Sequence, residues 1–268
     1  MPDSSLPPAY FRRLSPTRFL ATAHVGGAWN PDEQHIAPAL GLVAHLIEQE
    51  HRARRDDGMQ LARVSYDILG VMPIDVMDTA VRVLRPGRTV ELVEAVVRHA
   101  NRPALVARAW WMTQGDTAAL AGSDLPPMPP RESLDEWSAG ETWPGGFVTT
   151  VQTRRRQERP GRAWSWLRPL VPLVAGEDAS TTARALGVVD ILNGVTVRVP
   201  PAVALYPNID LTVHLFRPPR FASPEEIWVG ADTTVSFGET GMGLTHSVLH
   251  DEHGPIGTVD QALTVRPL

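Results

Sequence analysis

The sequence predicts an α+β protein made of two copies of one unit, each a central helix laid against an antiparallel sheet. Three observations carry that prediction. The stretch at 183–193, ARALGVVDILN, repeats the stretch at 37–47, APALGLVAHLI, with five identities in seven positions at an offset of 146: Ala37/Ala183, Ala39/Ala185, Leu40/Leu186, Gly41/Gly187 and Val43/Val189. Prolines between strand-like runs recur at nearly the same offset, Pro160 standing in the place of Pro16 and Pro218 in that of Pro73. Between the copies, residues 114–146 lose all periodicity and take on the proline, glycine and serine content of a linker or surface crossover. These observations divide the chain into an N-terminal repeat over 1–120, a linker over 121–146 and a C-terminal repeat over 147–268. A chain of 268 residues that is 43% hydrophobic can bury two cores of roughly 100 to 150 residues each.

In the first unit, residues 10–22 read as two short strands hinged at Ser15-Pro16, because proline cannot donate to the interior of a ladder. The turn-rich segment AHVGGAWNPDEQH feeds a helix over 36–54. Leu40, Val43 and Ile47 form its stripe, and Ala37, Ala39 and Gly41 are small enough for close approach to another layer. Strands follow at 61–71, 75–84, 89–98 and 104–112, rich in β-branched residues and separated by Met72-Pro73, Arg85-Pro-Gly and Asn101-Arg-Pro turns.

The second unit replays the order. Strands are expected at 147–156 and 161–167, then a helix from about Ser180 to Leu192 with Ser180 as its N-cap and Asn193-Gly194 as its stop. Further strands are expected at 209–216, 227–236, 243–250 and 258–265, and Pro255 echoes Pro103.

Composition excludes several chemistries. The net charge of −5 offers no electrostatic footprint for nucleic acid or an anionic membrane. All 25 basic residues are arginine, so Schiff-base and P-loop lysines are excluded, and the absence of cysteine removes disulfides, thiolate nucleophiles and Cys-based zinc sites. Neither G-x-S-x-G nor G-x-G-x-x-G occurs. The start MPDSSLPPAYFRRL lacks the apolar core of a signal peptide, and no 18-residue apolar run exists. A soluble cytoplasmic protein is the expectation.

Function is sought where the copies differ. Directly after the matched helical stretch the first copy has Ala44 and the second Asp190, on the apolar face set by Leu186 and Gly187. An ionised carboxylate there costs several kcal/mol, on the order of the effective burial penalty per ion, unless a partner or wet cavity compensates. At other aligned positions the second copy has Asn208 and Gln261 where the first has Arg63 and Ala109. Alternation puts Val259, Gln261, Leu263 and Val265 on one strand face, so Gln261 sits in an apolar row and needs a hydrogen-bond partner. The plainer reading of Asp190 is a helix-end carboxylate satisfied by Arg184 or solvent. That of Gln261 is a sheet-edge cap, and Pro207-Asn208 is ordinary turn composition. His246, His250 and His253 with Asp251 and Glu252 have spacing that suggests a metal, but HDEHG has the composition of an exposed hairpin turn.

A strand pair, a central helix and a wrapped antiparallel sheet, given twice, resembles the hotdog fold in its double form. The sequence is similar to the type II acyl-CoA thioesterase (TesB-like) family over nearly its whole length. The pieces that carry the likeness are Asp190, PNIDLTVHLFRPP from Pro207, the terminal TVDQALTVRP, and GAWNPDEQH before the first helix. The resemblance implies a long central helix in each repeat and hydrolysis of acyl-CoA or related thioesters with no cofactor or metal. By position it implies a water held by Asp190, Asn208 and Gln261. Asn208 departs from the hydroxyl residue the family has there, with Asp210 and Thr212 on the same strand face as the nearest substitutes. A one-residue slip would replace Gln261 by Asp260. Asp190 would act as general base or water anchor with its pKa raised by desolvation, and backbone amides at a helix N-terminus would form an oxyanion hole. Gln34, His35, Gly187 and Asp210 are candidate substrate-binding residues, Gln34 and His35 by lining the other half's pocket. The acyl chain is expected in an apolar tunnel beside the helix, with arginines at its mouth meeting the coenzyme A phosphates. A dimer is expected by the same resemblance.

Two other functions fit the same architecture. The Asn208 departure suggests a non-catalytic acyl-CoA or lipid-binding double hotdog. A hotdog enoyl-thioester hydratase or dehydratase would pair an Asp with a His, and no His lies within a helical turn of Asp190 in the sequence.

Overall fold

A computed structural model describes residues 8–268. The first seven residues, part of the stretch read above as lacking a signal core, lie outside the described region. The first repeat comprises strands β1 (Phe11–Ser15) and β2 (Arg18–Ala21), helix α1 (Ile36–Arg54), and strands β3 (Gln60–Ile68), β4 (Val76–Arg85), β5 (Val90–His99) and β6 (Arg102–Met112). The connecting segment contributes β7 (Asp135–Trp137). The second repeat comprises β8 (Val151–Arg159), β9 (Arg162–Pro169), α2 (Thr181–Leu186), α3 (Leu192–Val195), β10 (Ala204–Leu205), β11 (Asp210–Leu215), β12 (Val229–Phe237), β13 (Met242–Asp251), β14 (Gly254–Thr264) and β15 (Arg266–Pro267). No described helix is long and apolar enough to cross a membrane.

Among the described residues, thirteen strands form one sheet in the order β1-β2-β4-β5-β6-β3-β11-β14-β13-β12-β9-β8-β7, with antiparallel neighbours throughout. Apart from β7, the second half of this order mirrors the first, as a duplicated unit related by a pseudo-two-fold axis requires. The register at the β3–β11 seam marks that axis. Tyr66 pairs with Leu211, and the flanking pairs Ser65↔Thr212 and Asp67↔Asp210 exchange with each other under the repeat.

Helix α1 is buried at every residue from Ala37 to Glu48, because it is enclosed by the sheet on one side and the second repeat on the other. His51, Arg52 and Arg54 in its last turn complement the negative end of its dipole. The two copies of the repeated stretch meet at their equivalent glycines. A β-carbon on Gly41 would stand 2.9 Å from both the Ala183 carbonyl oxygen and the Gly187 Cα, so the crossing requires the missing side chain.

The continuous helix expected from Ser180 to Leu192 is broken. Ser180 caps α2, its Oγ accepting from the Ala183 amide at 2.9 Å, but α2 ends at Leu186. Val188 leaves the helical region at φ −125° and ψ −13°, and a 3₁₀ turn covers Val189–Ile191 before α3 resumes the spiral. Gly187 and the β-branched Val188 and Val189 weaken the spiral where it crosses α1. The tighter turn redirects Asp190.

The connecting segment is packed rather than free-running. Besides β7, it buries Leu134, Ala139 and Trp143, and its end docks on the first repeat through the Phe147 amide, which donates to the Gly26 carbonyl at 3.0 Å. Gly145, at φ +96°, and Gly146 lie so close to the 23–27 backbone that no β-carbon fits.

Candidate active site

The loop from Gly26 to His35 is closed by the Gly27 amide donating to the Glu33 carbonyl at 2.7 Å and the His35 amide donating to the Val25 carbonyl at 2.7 Å. It is anchored to the segment after β3 by Gln34, whose backbone donates to Met72 O at 2.7 Å and whose side-chain amide donates to Pro73 O at 2.8 Å. His35 is the N-cap of α1, its Nδ1 accepting from the Ala37 amide at 3.2 Å. That bond places the imidazole proton on Nε2. Burial pulls the ring's pKa down to about 3, so His35 is neutral at physiological pH.

From the other repeat, the 3₁₀ turn brings Asp190 to the same place at 3% exposure. Its Oδ1 accepts from Asn208 Nδ2 at 2.6 Å and more weakly from Gln261 Nε2 at 3.4 Å, while Gln261 Nε2 also donates to the Asp190 backbone carbonyl at 3.0 Å. Both amide orientations are set by carbonyls: Asn208 Nδ2 also donates to Asp210 O at 3.1 Å, and a carbonyl accepts only from the NH₂ side. Asp190 Oδ2 lies 3.6 Å from His35 Nδ1, too far for a hydrogen bond. With Nδ1 already accepting from Ala37, this contact is no ion pair. Burial pushes the Asp190 carboxyl up to about 7, the Asn208 hydrogen bond opposing the rise. Arg184, the partner considered for Asp190, instead donates to the Pro224 carbonyl.

A cavity of about 360 Å³ opens over these groups, with walls from both repeats. Gln34, His35, Asp190 and Asn208 line it, as do Trp29, Ile36, Met72, Asn193 and Arg266. Gln261 stands behind Asp190 at 1% exposure, its Oε1 buried without a partner. The one-residue slip is answered by Asp260, which faces the other way and meets His246 at 2.8 Å on the half-exposed outer side of the sheet. Gly187 lies at the helix crossing against Gly41 and Asp210 accepts from the Ala262 amide at 2.7 Å; neither lines the cavity, and Asp210 supports Asn208 through its carbonyl. His250 faces the Pro126 and Val248 carbonyls, and Arg217 clasps Asp251 through both carboxylate oxygens. No grouping of three potential metal ligands occurs among the described residues.

The sequence carries no functional signal for Trp143 and offers Asn193 only as a helix stop. Trp143 lies in the proline-rich connecting segment, where composition says nothing of burial, and its indole N–H donates to Gly194 O at 3.0 Å. Trp29, Trp143 and Tyr206 pack edge to face with ring centroids 4.8 to 6.0 Å apart, and Phe237 continues the cluster, tilted against Tyr206 at 5.3 Å.

Two family models match the chain, one described as the acyl-CoA thioesterase N-terminal domain over residues 25–112 and one as the acyl-CoA thioesterase C-terminal domain over residues 122–265. A comparison with curated protein sequences gives no match. Among solved structures, the chain is similar to a tesB protein of Mycobacterium avium subsp. paratuberculosis (16% identity, 96% of each chain covered, TM-score 0.68). It is also similar to the acyl-CoA thioesterase II TesB2 of Mycobacterium marinum (15%, 96% of each chain, TM-score 0.67). A third is a conserved protein of unknown function with a hot dog fold from Alicyclobacillus acidocaldarius (13%, 96% of this chain and 95% of that one, TM-score 0.69). At such identities the likeness establishes the hotdog fold.

Proposed function

The chain belongs to the acyl-CoA thioesterase family, and from that premise we propose that it hydrolyses acyl-CoA thioesters by direct attack of a water activated by Asp190, without an acyl-enzyme. The observation that carries the reading is the buried carboxyl of Asp190, held by two amides at the wall of the cavity with one oxygen left unbonded. A base works best with its pKa near the working pH, and desolvation brings Asp190 there.

In this mechanism the water donates to Asp190 Oδ2 and Asn208 Oδ1. Asn208 divides between two atoms what a hydroxyl does with one: its NH₂ donates to Asp190 Oδ1 and its carbonyl oxygen accepts from the water. Gln261 holds the carboxylate and its backbone in place. As the water attacks the thioester carbon, its proton passes to Asp190 and negative charge grows on the carbonyl oxygen. His35 Nε2–H and the Ile36 amide, an orphan donor at the start of α1, stabilise that charge. Collapse of the tetrahedral intermediate breaks the carbon–sulfur bond, and the proton on Asp190 neutralises the departing thiolate. Arg266, at the cavity wall, meets a phosphate of the coenzyme.

The approach of His35 to Asp190 also supplies the Asp–His pair that a hydratase or dehydratase would use. The tautomer fixes how the ring could act: with the lone pair of Nδ1 committed to the Ala37 amide, Nε2 carries a proton and can only donate, so in either reaction Asp190 would be the base. What favours hydrolysis is the match to the acyl-CoA thioesterase family models. Release of free thiol from acyl-CoAs, followed with a thiol reagent beside the absorbance of an enoyl-CoA on incubation, separates the two. Hydrolysis that survives Asp190→Ala unchanged would refute the assignment of the base.

A further inference from the structure

Beside the main cavity lies a smaller, mostly apolar annex of about 30 Å³, lined by Trp29, Trp143, Val148, Ile191 and Val195 among others. Ala28, Trp29, His35 and Asn193 border both spaces, so the annex meets the main cavity beside His35 and Asn193, and Ile191, the neighbour of Asp190, stands on its wall. Its inner wall is made of buried side chains: Trp143, Val148, Ile191 and Val195 are each at most 4% exposed. The main cavity runs past Asn30, Glu33 and Arg266 on one side and has an apolar wall of Ile36, Ile68, Met72 and Leu205 on the other. Only the main cavity has the size and the charged side chains, Glu33 and Arg266, to receive the coenzyme, which leaves the annex, with no charged side chain on its walls, to the acyl group.

Resting on the thioesterase reading above, we propose that this annex is the acyl pocket and that its closed end restricts the enzyme to short acyl groups, of about four carbons or fewer. At roughly 10–15 Å³ for each water-sized occupant, the annex has room for two or three carbon atoms beyond the carbonyl. The wall is not built to yield. The Trp143 indole is pinned to Gly194 O at 3.0 Å, lies against the face of Gly194 where a β-carbon would come 3.4 Å from the ring, and packs edge-on against Trp29 and Tyr206. Displacing it to admit a longer chain would break the hydrogen bond and two aromatic contacts together. The segment joining the repeats thus acts as a specificity element.

The test is kcat/KM across acetyl-, butyryl-, hexanoyl-, octanoyl-, dodecanoyl- and palmitoyl-CoA for wild type, Trp143→Ala and Val148→Ala. Binding of the non-hydrolysable thioether analogues of the same lengths is measured by calorimetry in parallel. The wild type is expected to lose at least tenfold between butyryl and octanoyl, and the variants to move the optimum at least two carbons longer. Val148→Ala covers the case in which Trp143→Ala does not fold. Hydrolysis or binding indifferent to length in the wild type, or a length profile unmoved in every folded variant, overturns the annex as acyl pocket. Absence of hydrolysis with length-limited binding supports the pocket while refuting the thioesterase reading. Absence of both refutes the two together.

Discussion

Asn208 reaches Asp190 across 18 positions of chain and donates to its Oδ1 at 2.6 Å, and it is the contact that opposes the upward pull of burial on that carboxyl. Asn208→Ala should therefore raise the Asp190 pKa further. A hydrogen bond to a charged acceptor is worth about 1.5–3 kcal/mol, so the ascending limb of the kcat/KM–pH profile should move up by about one to two units from its wild-type position near 7. Asn208→Thr restores a donor and should return most of that shift. A limb that stays in place in Asn208→Ala would show that another group governs the profile.

Asp190→Asn should abolish hydrolysis and yet stabilise the fold. The native carboxyl, at about 7 against an ordinary 3.8, holds its proton more tightly than the unfolded chain does. Stability is therefore intact below about pH 4, falls as pH rises through about 7, and levels off above it. The amide has no such loss. The variant's advantage in denaturant melts should grow across that window to an upper bound on the order of 4 kcal/mol at pH 8, and equal stability at pH 4 and pH 8 would contradict the raised carboxyl.

His35 caps α1, and in the proposed mechanism it also donates to the oxyanion. Asn is an effective N-cap, so His35→Asn should keep the melting temperature near that of wild type while removing the Nε2–H donor, lowering kcat about 10²- to 10³-fold with little change in KM. His35→Ala should show the same kinetic loss and in addition about 1 kcal/mol of destabilisation from the lost cap. Unimpaired turnover in His35→Asn would remove this residue from the oxyanion site.

The helix crossing predicts an asymmetry between equivalent glycines. A β-carbon on Gly41 meets backbone on two sides at 2.9 Å, whereas one on Gly187 has its nearest neighbour at 3.3 Å. Gly41→Ala should cost about 1–3 kcal/mol, as overpacking does, and lower the melting temperature clearly more than Gly187→Ala. Comparable losses would mean that the crossing adjusts freely.

Much of this arrangement is legible in the residues themselves. Local pattern placed the helix at 36–54 and a strand on each side of nearly every turn, because a 3.6-residue or 2-residue period is a property of neighbouring positions. The offset between copies also showed that Asp190 stands where its counterpart is Ala44, which marks a carboxyl set against the packing rule. Those same local rules extended the second helix through Gly187, and there they were overruled: the crossing with α1 is a contact between repeats, and the spiral tightens to accommodate it.

What the sequence determined, then, was the duplicated unit, its turns, and the residue types whose burial needs explaining. Only the tertiary structure decided that His35 caps a helix 3.6 Å from a carboxyl of the other repeat, and that Trp143 of the connecting segment lines the annex. Both depend on two chain segments meeting across the pseudo-two-fold axis. The physical reason is that contact between distant segments is set by how two complete hydrophobic surfaces fit together, and no short stretch of sequence contains that information.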